Sequence, residues 1–298
     1  MTPQLCLGTA QFGLPYGITN TEGQVPESEV AKLLAKLEET DFRWLDTAHA
    51  YGNAEEVIGR NLWEGHSLRI ITKLPAQPQV AFTGRDAVVW EQAFQLSCER
   101  LGVKSLNALL LHAPSDLSKP GSGYLEDWLL GLKQRGLVDR LGMSIYTADD
   151  LEAVAPDLLD IVQLPLSLYD QRLLQDGTVD WLRRHGAALH ARSIFLQGLL
   201  LTPVKRWPIW ASCEARAHQQ ELEGLAKEKD CHLIDLALGF AKAQTSLEAV
   251  VVGICRLQEL ADLRRCWSRA SSWQPGEMEN WALDDPITLD PRRWPGND

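Results

Sequence analysis

The 298-residue sequence predicts a (β/α)8 TIM barrel with long loops after its strands and a C-terminal tail at the mouth of the barrel. Short apolar runs of strand length recur along the chain, helical patterns lie between them, and glycines follow several of the helical patterns. This alternation is typical of parallel strands joined by helical crossovers. Eight such units in a chain of this length match the barrel, which needs roughly 250 residues.

Eight apolar runs define the predicted strands. Each is long enough for a strand and too short for a typical helix. They cover residues 5–10, 42–46, 68–73, 107–112, 138–144, 160–165, 187–193 and 248–253.

Three of the intervening segments carry an apolar face at helical spacing. Residues three and four apart lie on one side of a helix, so we expect each face to pack against the barrel. The faces are Val30, Leu33, Leu34 and Leu37, then Val89, Ala93 and Leu96, then Leu125, Trp128, Leu129 and Leu132.

Capping signals support these boundaries. Gly102 and Gly136 follow two of the helices, where a left-handed residue often ends a helix. Asn53, with Glu56 three residues later, fits a variant of the N-terminal capping box.

The alternative fold is an open, doubly wound sheet, which usually carries a Gly-rich dinucleotide fingerprint after its first strand. That position here reads GTAQFG, which lacks the fingerprint spacing.

No linker divides the chain, so we expect one domain over residues 1–298. The candidate boundaries are residues 113–123, residues 199–210 and the tail from about residue 268. Each follows a strand or the last helix, and we interpret all three as long loops on one face of the barrel.

Composition and charge exclude several classes of protein. The net charge of −11 and the pI near 5.2 oppose nonspecific binding to nucleic acid or to an anionic membrane. The six cysteines include no C-x-x-C pair, so they indicate neither a disulfide framework nor a zinc ribbon. With no signal peptide and no apolar run of about 18 residues, we expect a soluble cytoplasmic protein without a bound metal.

Polar residues collect at the ends of three consecutive predicted strands. Asp46, Lys73 and His112 end the second, third and fourth strands, and Tyr51 lies in the loop after the second. Each has an ordinary structural role available when taken alone: a turn residue, a solvated cation, a satisfied core histidine or a packed ring. Because the carboxyl ends of barrel strands meet at one mouth, their coincidence predicts an active site.

The chemistry of this group suits proton transfer to a carbonyl. A lysine cation beside a tyrosine favours the phenolate, so we expect Lys73 to lower the pKa of Tyr51 and to fit it for general acid catalysis. Asp46 would hold Lys73 charged, and His112 would steer the substrate oxygen. None of these groups donates hydride, so a cofactor must supply it.

With these residues and their spacing, the sequence resembles the aldo-keto reductases. The similarity runs from LGTAQFG through WLDTAHAYGNAEEVIG, ITK, LLLHAP, GMS and DIVQLPLS to RSIFLQGLLL and VVVGICRLQELADL. The resemblance implies a (β/α)8 barrel, NADP(H)-linked reduction of aldehydes or ketones, and a catalytic tetrad. The tetrad falls on Asp46, Tyr51, Lys73 and His112.

The resemblance also implies cofactor-binding positions. Ser144 and Gln163 would hold the nicotinamide carboxamide. The remaining positions follow the first, seventh and eighth strands: Gly8, Thr9, Arg192, Ser193, Phe195, Gln197, Gly198, Gly253, Ile254, Cys255 and Arg256. The chain departs from the family pattern at Ile145, Arg192, Glu259 and Leu263.

Cofactor preference and substrate contacts are the finer predictions. Arg256 at the start of the last helix is the cation placed to meet a 2′-phosphate, so NADP(H) is predicted over NAD(H). A small-molecule carbonyl compound is the predicted substrate, with contacts from Gln11, Phe12, Trp207 and Trp210. The tail tryptophans are expected to pack the C-terminus against the barrel.

Two other functions remain open from the sequence. The altered cofactor positions fit a regulatory or sensor protein that binds the cofactor with little turnover. A metal-dependent hydrolase on the same barrel is less favoured, because no His, Asp and Glu set has ligand spacing at the strand ends.

Overall fold

The computed structural model describes residues 2–270, 273 and 277–295. Eight parallel strands pair in chain order, and β1 pairs with β8 to close a barrel. The strands are β1 Gln4–Gly8, β2 Phe42–Asp46, β3 Arg69–Leu74, β4 Leu106–Leu111, β5 Val138–Ser144, β6 Ile161–Pro165, β7 Ala188–Arg192 and β8 Ala249–Gly253. The predicted barrel is confirmed, and each strand lies within two residues of its predicted bounds.

Helices cover the outside of the barrel. They are α1 Ala10–Gly13, α2 Glu27–Leu37, α3 Ala54–Asn61, α4 Ala87–Leu101, α5 Gly123–Gln134, α6 Arg172–Gln175, α7 Thr178–Arg184, α8 Cys213–Glu228, α9 Leu233–Ala243, α10 Leu257–Arg269 and α11 Pro286–Leu289. Between β5 and β6 the chain forms two short 3-10 turns, Ala148–Leu151 and Pro156–Leu158, in place of a full helix. No helix of the described residues has the length and apolar character needed to cross a membrane.

Two of the three predicted helix faces pack as expected. In α2 all four predicted residues are buried, and in α5 the three leucines are buried while Trp128 is half-buried. The indole N–H of Trp128 donates to Glu91 Oε2 at 3.0 Å, which links α5 to α4. Gly102 and Gly136 have φ of 69° and 68°, so both predicted left-handed helix ends are confirmed.

The predicted face of α4 is wrong. Val89 and Leu96 are exposed, and the core contacts come instead from Trp90, Phe94 and Leu101. Both sets satisfy helical spacing, but the aromatic side chains remove more apolar area from water, which decides which face packs inward.

The predicted capping box at the start of α3 does not form. Asn53 occupies the N-cap position, but its side chain makes no capping hydrogen bond and its Oδ1 accepts from Gln24 Nε2 at 2.7 Å. Glu56 pairs with Arg100 at 3.3 Å. Partners from distant segments therefore replace the local ones that the spacing suggested.

The lower barrel interior is filled with side chains. Trp44 and Ile71 lie two residues before Asp46 and Lys73, so they face the same side of their strands. Both belong to a small buried cluster that is separate from the main core between barrel and helices. This layer closes the barrel below the polar residues at its mouth.

The C-terminal tail packs against the barrel, as predicted for its tryptophans. Trp294 is 4% exposed, its ring centroid lies 5.1 Å from that of Trp210, and its N–H donates to Ile287 O at 2.9 Å. Trp273 donates to Leu236 O at 3.0 Å.

Candidate active site

The carboxyl ends of β2 and β3 hold a buried ion pair. Lys73 Nζ donates to Asp46 Oδ1 at 2.7 Å and to Thr47 O at 2.9 Å. The Lys73 side chain is fully buried and that of Asp46 is 5% exposed. A buried ammonium is costly unless it is paired and hydrogen-bonded, and these two contacts meet that need.

Tyr51 is fixed above this pair by a tight turn between β2 and α3. Its N–H donates to Ala48 O, and its carbonyl accepts from Ala54 N, both at 3.0 Å. The turn also packs directly on the end of α1, where a Cβ on Gly13 would lie 1.8 Å from Tyr51 O. The close backbone contact therefore requires glycine at position 13.

The four predicted tetrad residues lie together at the mouth. Lys73 Nζ is 3.5 Å from the Tyr51 hydroxyl oxygen. The ring of His112, the residue after β4, meets the Tyr51 ring edge to face with 5.8 Å between centroids. The backbone N–H of His112 donates to Leu74 O at 3.0 Å, which continues the β3–β4 pairing up to the histidine.

The pKa of Tyr51 differs from the sequence-based expectation. Burial raises the pKa of Tyr51, and this effect outweighs the lowering by Lys73. Burial opposes the charge of Lys73, but Asp46 and Tyr51 together more than offset this effect, so the pKa of Lys73 is also raised. Tyr51 is therefore a neutral phenol and Lys73 a cation at neutral pH.

His112 is neutral at physiological pH. Burial and the nearby Lys73 cation lower its pKa to about 4, while Asp46 opposes the shift. A neutral imidazole can donate or accept a hydrogen bond but does not act as a cationic acid.

Gln163 and Ser144 flank the tetrad on β6 and β5. The Gln163 amide donates to Asp46 Oδ1 at 2.8 Å, so the carboxylate that holds Lys73 also orients this amide. Ser144 Oγ accepts from Arg192 Nε at 3.3 Å, and Arg192 donates to Ile145 O at 2.8 Å.

Arg192 belongs to a three-layer stack that reaches the C-terminal tail. Its guanidinium carbon lies 4.0 Å from the ring centroid of Tyr146, and that of Arg292 lies 3.7 Å from the same centroid. Asp290 accepts from Arg292 at 2.7 Å. The tail therefore contacts the wall of the mouth, as the fold prediction required.

A cavity of about 680 Å³ runs from Asp46 and Tyr51 to the start of α10. Most of the residues predicted to hold the cofactor lie on its wall, and Gln11 lies there as well. The predicted residues on the wall are Gly8, Thr9, Gln11, Gln163, Arg192, Ser193, Phe195, Gln197, Gly198, Gly253, Ile254, Cys255 and Arg256.

The middle of the cavity is formed by an unusual backbone segment after β7. Ser193, Leu196 and Gln197 have φ of 61°, 48° and 53°, and Gly198 has φ of 92°. A Cβ on Gly198 would lie 2.2 Å from Thr19 Oγ1. Ser193, Gln197 and Gly198 lie on the cavity wall. Two N–H groups of the segment donate within it, Leu196 N to Ser193 O at 2.8 Å and Gly198 N to Phe195 O at 2.9 Å.

Three predicted substrate contacts lie off the cavity wall. Phe12 is completely buried in the core, and Trp207 is 5% exposed with its N–H donating to Leu199 O at 3.0 Å. Trp210 packs on Trp294. These placements do not support the substrate contacts predicted for Phe12, Trp207 and Trp210.

Tyr16 is a wall residue that the sequence reasoning missed. The residue is 39% exposed, but loss of solvation at its hydroxyl and the nearby Tyr51 raise the pKa of Tyr16, which places the hydroxyl near the tetrad. The motif LPYG gave no signal beyond that of a loop.

No group of histidine, cysteine and acidic residues suited to a metal occurs in the described part of the chain.

The family model of the aldo/keto reductase family matches residues 4–272. The chain is 32% identical over 139 residues to an aldo-keto reductase of Mycolicibacterium smegmatis, covering 44% of this chain and 45% of that protein. It is 30% identical over 153 residues to the oxidoreductase sirO of Leptosphaeria maculans, covering 50% and 45%. The matched part thus spans less than half of the length of these curated relatives.

Solved structures agree in fold. An aldo-keto reductase from Bacillus halodurans in its holo form superposes with a TM-score of 0.71 at 17% identity, covering 98% of this chain and 95% of that one. A putative aldo-keto reductase from Pseudomonas aeruginosa gives 0.65 at 21% identity, covering 90% and 91%. At these identities the two structures bear on the fold alone, whereas the family model spans most of the sequence. The chain belongs to the aldo/keto reductase family.

Proposed function

We propose that this chain catalyses the reversible, nicotinamide-dependent reduction of an aldehyde or ketone to an alcohol, with Tyr51 as the proton donor. The observation that carries the proposal is the Lys73 ammonium, which lies 3.5 Å from the Tyr51 hydroxyl and is held by Asp46 at one end of the cavity. Family membership supports oxidoreductase chemistry on carbonyl compounds.

Tyr51 donates its proton to the carbonyl oxygen as the carbon accepts a hydride. Because Tyr51 is protonated at neutral pH, it is already in the form that reduction needs. The resulting phenolate lies beside the Lys73 cation, which stabilises the negative charge until a proton returns from solvent. In the oxidation direction the same phenolate accepts the alcohol proton.

His112 positions the substrate oxygen. Its ring packs edge to face on Tyr51, and its neutral state allows it to donate one hydrogen bond to the carbonyl oxygen. A cationic histidine there would compete with Tyr51 as acid and would repel Lys73.

The residues on the cavity wall fit a nicotinamide dinucleotide. Gln163 on the wall would hold the carboxamide together with Ser144, which lies off the wall and accepts from Arg192, and the segment from Ser193 to Gly198 would hold the pyrophosphate. A reduced nicotinamide bound there supplies the hydride. Family members generally use NADP(H), and the sequence-based preference for NADP(H) depends on Arg256.

The sensor hypothesis predicts cofactor binding with negligible turnover. The departures that motivated it are Ile145, Arg192, Glu259 and Leu263. Ile145 is fully buried, and its carbonyl accepts from Arg192. These residues support the wall of the site and leave the tetrad unchanged, which favours the enzyme.

A cytoplasmic location and one domain over residues 1–298 stay predictions.

Replacing Tyr51 with phenylalanine tests the proposal. Tyr51→Phe should lower the turnover of small aldehydes by at least about 100-fold, because general acid catalysis contributes roughly 10²–10⁴-fold. Cofactor affinity, followed by tryptophan fluorescence, should change little. The matched control is Tyr124→Phe on α5, where the side chain is exposed.

Retention of wild-type turnover in Tyr51→Phe would exclude Tyr51 as the proton donor. Tight cofactor binding by the wild-type protein without turnover across a broad panel of aldehydes and ketones would favour the sensor hypothesis.

A further inference from the structure

The end of the cavity remote from the tetrad is closed by the start of α10. The first backbone N–H groups of a helix have no partner within the helix and commonly bind anions. Here two N–H groups at this helix start already have partners: Leu257 N donates to Glu29 Oε1 at 2.8 Å, and Cys255 N donates to Glu259 Oε2 at 2.7 Å. Carboxylates of this chain therefore already accept from two of the N–H groups that would be offered to a phosphate at this helix start.

Arg256, the cation predicted to meet the 2′-phosphate, is also engaged. Its guanidinium forms an ion pair with Glu22, and both side chains are more than half exposed. The charged residues on this end of the cavity wall are thus three carboxylates, Glu22, Glu29 and Glu259, and one cation, Arg256. Arg192, the other cation on the wall, stacks on Tyr146 at the mouth.

Two contacts favour the ionised form of the Glu29 carboxylate. The N–H of Leu257 and the ammonium of Lys32, 3.0 Å away, lower the pKa of Glu29, so it is ionised at neutral pH. Glu29 projects from α2, which packs against α10, and its carboxylate is fixed by a backbone group. Reorienting it would leave the Leu257 N–H without this acceptor.

A 2′-phosphate and a 2′-hydroxyl have opposite requirements at such a site. The phosphate brings about two negative charges and only acceptor oxygens, so it would be repelled by the carboxylates and would have to displace them from the N–H groups. A ribose hydroxyl can donate a hydrogen bond to a carboxylate, which is how acidic residues select the unphosphorylated cofactor in other dinucleotide sites.

We propose that this chain binds NAD(H) in preference to NADP(H), with Glu29 and Glu259 as the residues that reject the 2′-phosphate. The inference rests on the proposed function in that a nicotinamide dinucleotide must occupy the cavity. It reverses the preference predicted from Arg256 in the sequence, because Glu22 pairs with that cation and two further carboxylates, Glu29 and Glu259, lie on the same end of the cavity wall.

Equilibrium binding tests the proposal without turnover. Tryptophan fluorescence and calorimetry would be used to titrate the wild-type protein with NADH and with NADPH. We expect NADH to bind at least about tenfold more tightly, since like-charge contacts oppose the phosphate. Raising the salt concentration should reduce this ratio, because the glutamates are partly exposed and their repulsion is screened.

Charge-neutralising variants test which glutamates reject the 2′-phosphate. Glu259→Gln and Glu29→Gln should each improve NADPH affinity about three- to tenfold and should leave NADH affinity within about threefold. Glu27→Gln is the matched control, because Glu27 lies in the same helix as Glu29, carries the same charge and is not on the cavity wall. It should leave the NADPH to NADH ratio unchanged.

The outcomes separate this inference from the proposed function. Equal or tighter binding of NADPH by the wild-type protein, with a large loss in Arg256→Gln, would overturn the NAD(H) preference and leave the reductase proposal intact. Equal shifts in Glu259→Gln and Glu27→Gln would overturn the assignment of the rejecting residues. Binding of neither cofactor would overturn both proposals.

Discussion

Replacing Lys73 with methionine removes the cation beside Tyr51 while keeping a side chain of similar length. The ammonium lies 3.5 Å from the phenol oxygen and is completely buried, so no solvent cation can take its place at the same position. We expect Lys73→Met to raise the pKa of Tyr51 further and to slow carbonyl reduction, since the developing phenolate loses its stabilising charge.

The size of the effect follows from the distance. At 3.5 Å and an effective dielectric constant of about 20, Coulomb's law gives about 5 kcal/mol for a full phenolate charge. If about half of that charge has developed in the transition state, the loss is about 2.5 kcal/mol, which corresponds to roughly 50- to 100-fold in rate. A fully developed charge would give a loss on the order of 3,000-fold.

The variant also leaves Asp46 as a buried carboxylate without its cation. Removing one partner of a buried ion pair costs about 3–5 kcal/mol of stability, so Lys73→Met must be compared with a variant that lacks both charges. Asp46→Asn combined with Lys73→Met is that control, and it should recover much of the stability without recovering the rate.

The assay is the pH dependence of kcat/KM with a panel of small aldehydes such as 4-nitrobenzaldehyde, together with circular dichroism to verify folding. In the wild-type protein, activity in the reduction direction should fall only at alkaline pH, where Tyr51 loses its proton. A folded Lys73→Met protein with activity within about fivefold of wild type would refute the role given to Lys73.

Three further predictions concern packing and pH. Gly13→Ala should lower kcat at least about tenfold and destabilise the protein, because the new Cβ collides with the Tyr51 turn. The control is Gly131→Ala in α5, where nothing lies within 4 Å of the new Cβ. It should stabilise the protein by up to about 1 kcal/mol in urea unfolding. The pKa of His112 is about 4 in the folded protein and about 6.5 when unfolded, so the unfolded state binds the proton first as the pH falls. Stability should therefore drop by up to about 3 kcal/mol between pH 6.5 and pH 4, and His112→Asn should remove that part of the slope in urea midpoints measured across this range. Trp294→Ala should cost about 3 kcal/mol, measured in the same unfolding assay, because this tail residue buries its ring against Trp210. Unchanged stability would mean that the tail does not pack there in solution.

The meeting of the four proposed catalytic residues could be predicted from the sequence because they are tied to regular elements. Asp46 and Lys73 lie at the ends of apolar runs whose strand character is evident, and strand order fixes which ends are adjacent. Gln163 was assigned to the nicotinamide through the family resemblance. Its hydrogen bond to Asp46 was not predicted, since 117 residues separate the two and no local pattern relates them.

Predictions that depended on packing between distant segments were less successful. The wrong face was assigned to α4 because two faces satisfy the same spacing, and only contact with the barrel selects the larger side chains. Phe12 and Trp207 were expected near the substrate because they lie in loops, but both are buried where apolar surface was available to cover them.

The sequence by itself determined the barrel, the order of its strands and the arrival of Asp46, Tyr51, Lys73 and His112 at one mouth, because strand period and chain order are local properties of the chain. The tertiary structure alone decided the charge state and surroundings of those groups. Burial, which outweighs Lys73 in setting the pKa of Tyr51, is a property of the assembled mouth. Likewise Glu29 accepts from Leu257 N, 228 positions away in the sequence, and the proposed preference for a ribose hydroxyl over a phosphate depends on that contact. Electrostatic energies depend on distances in space and on the exclusion of water, and residue order alone determines neither of them.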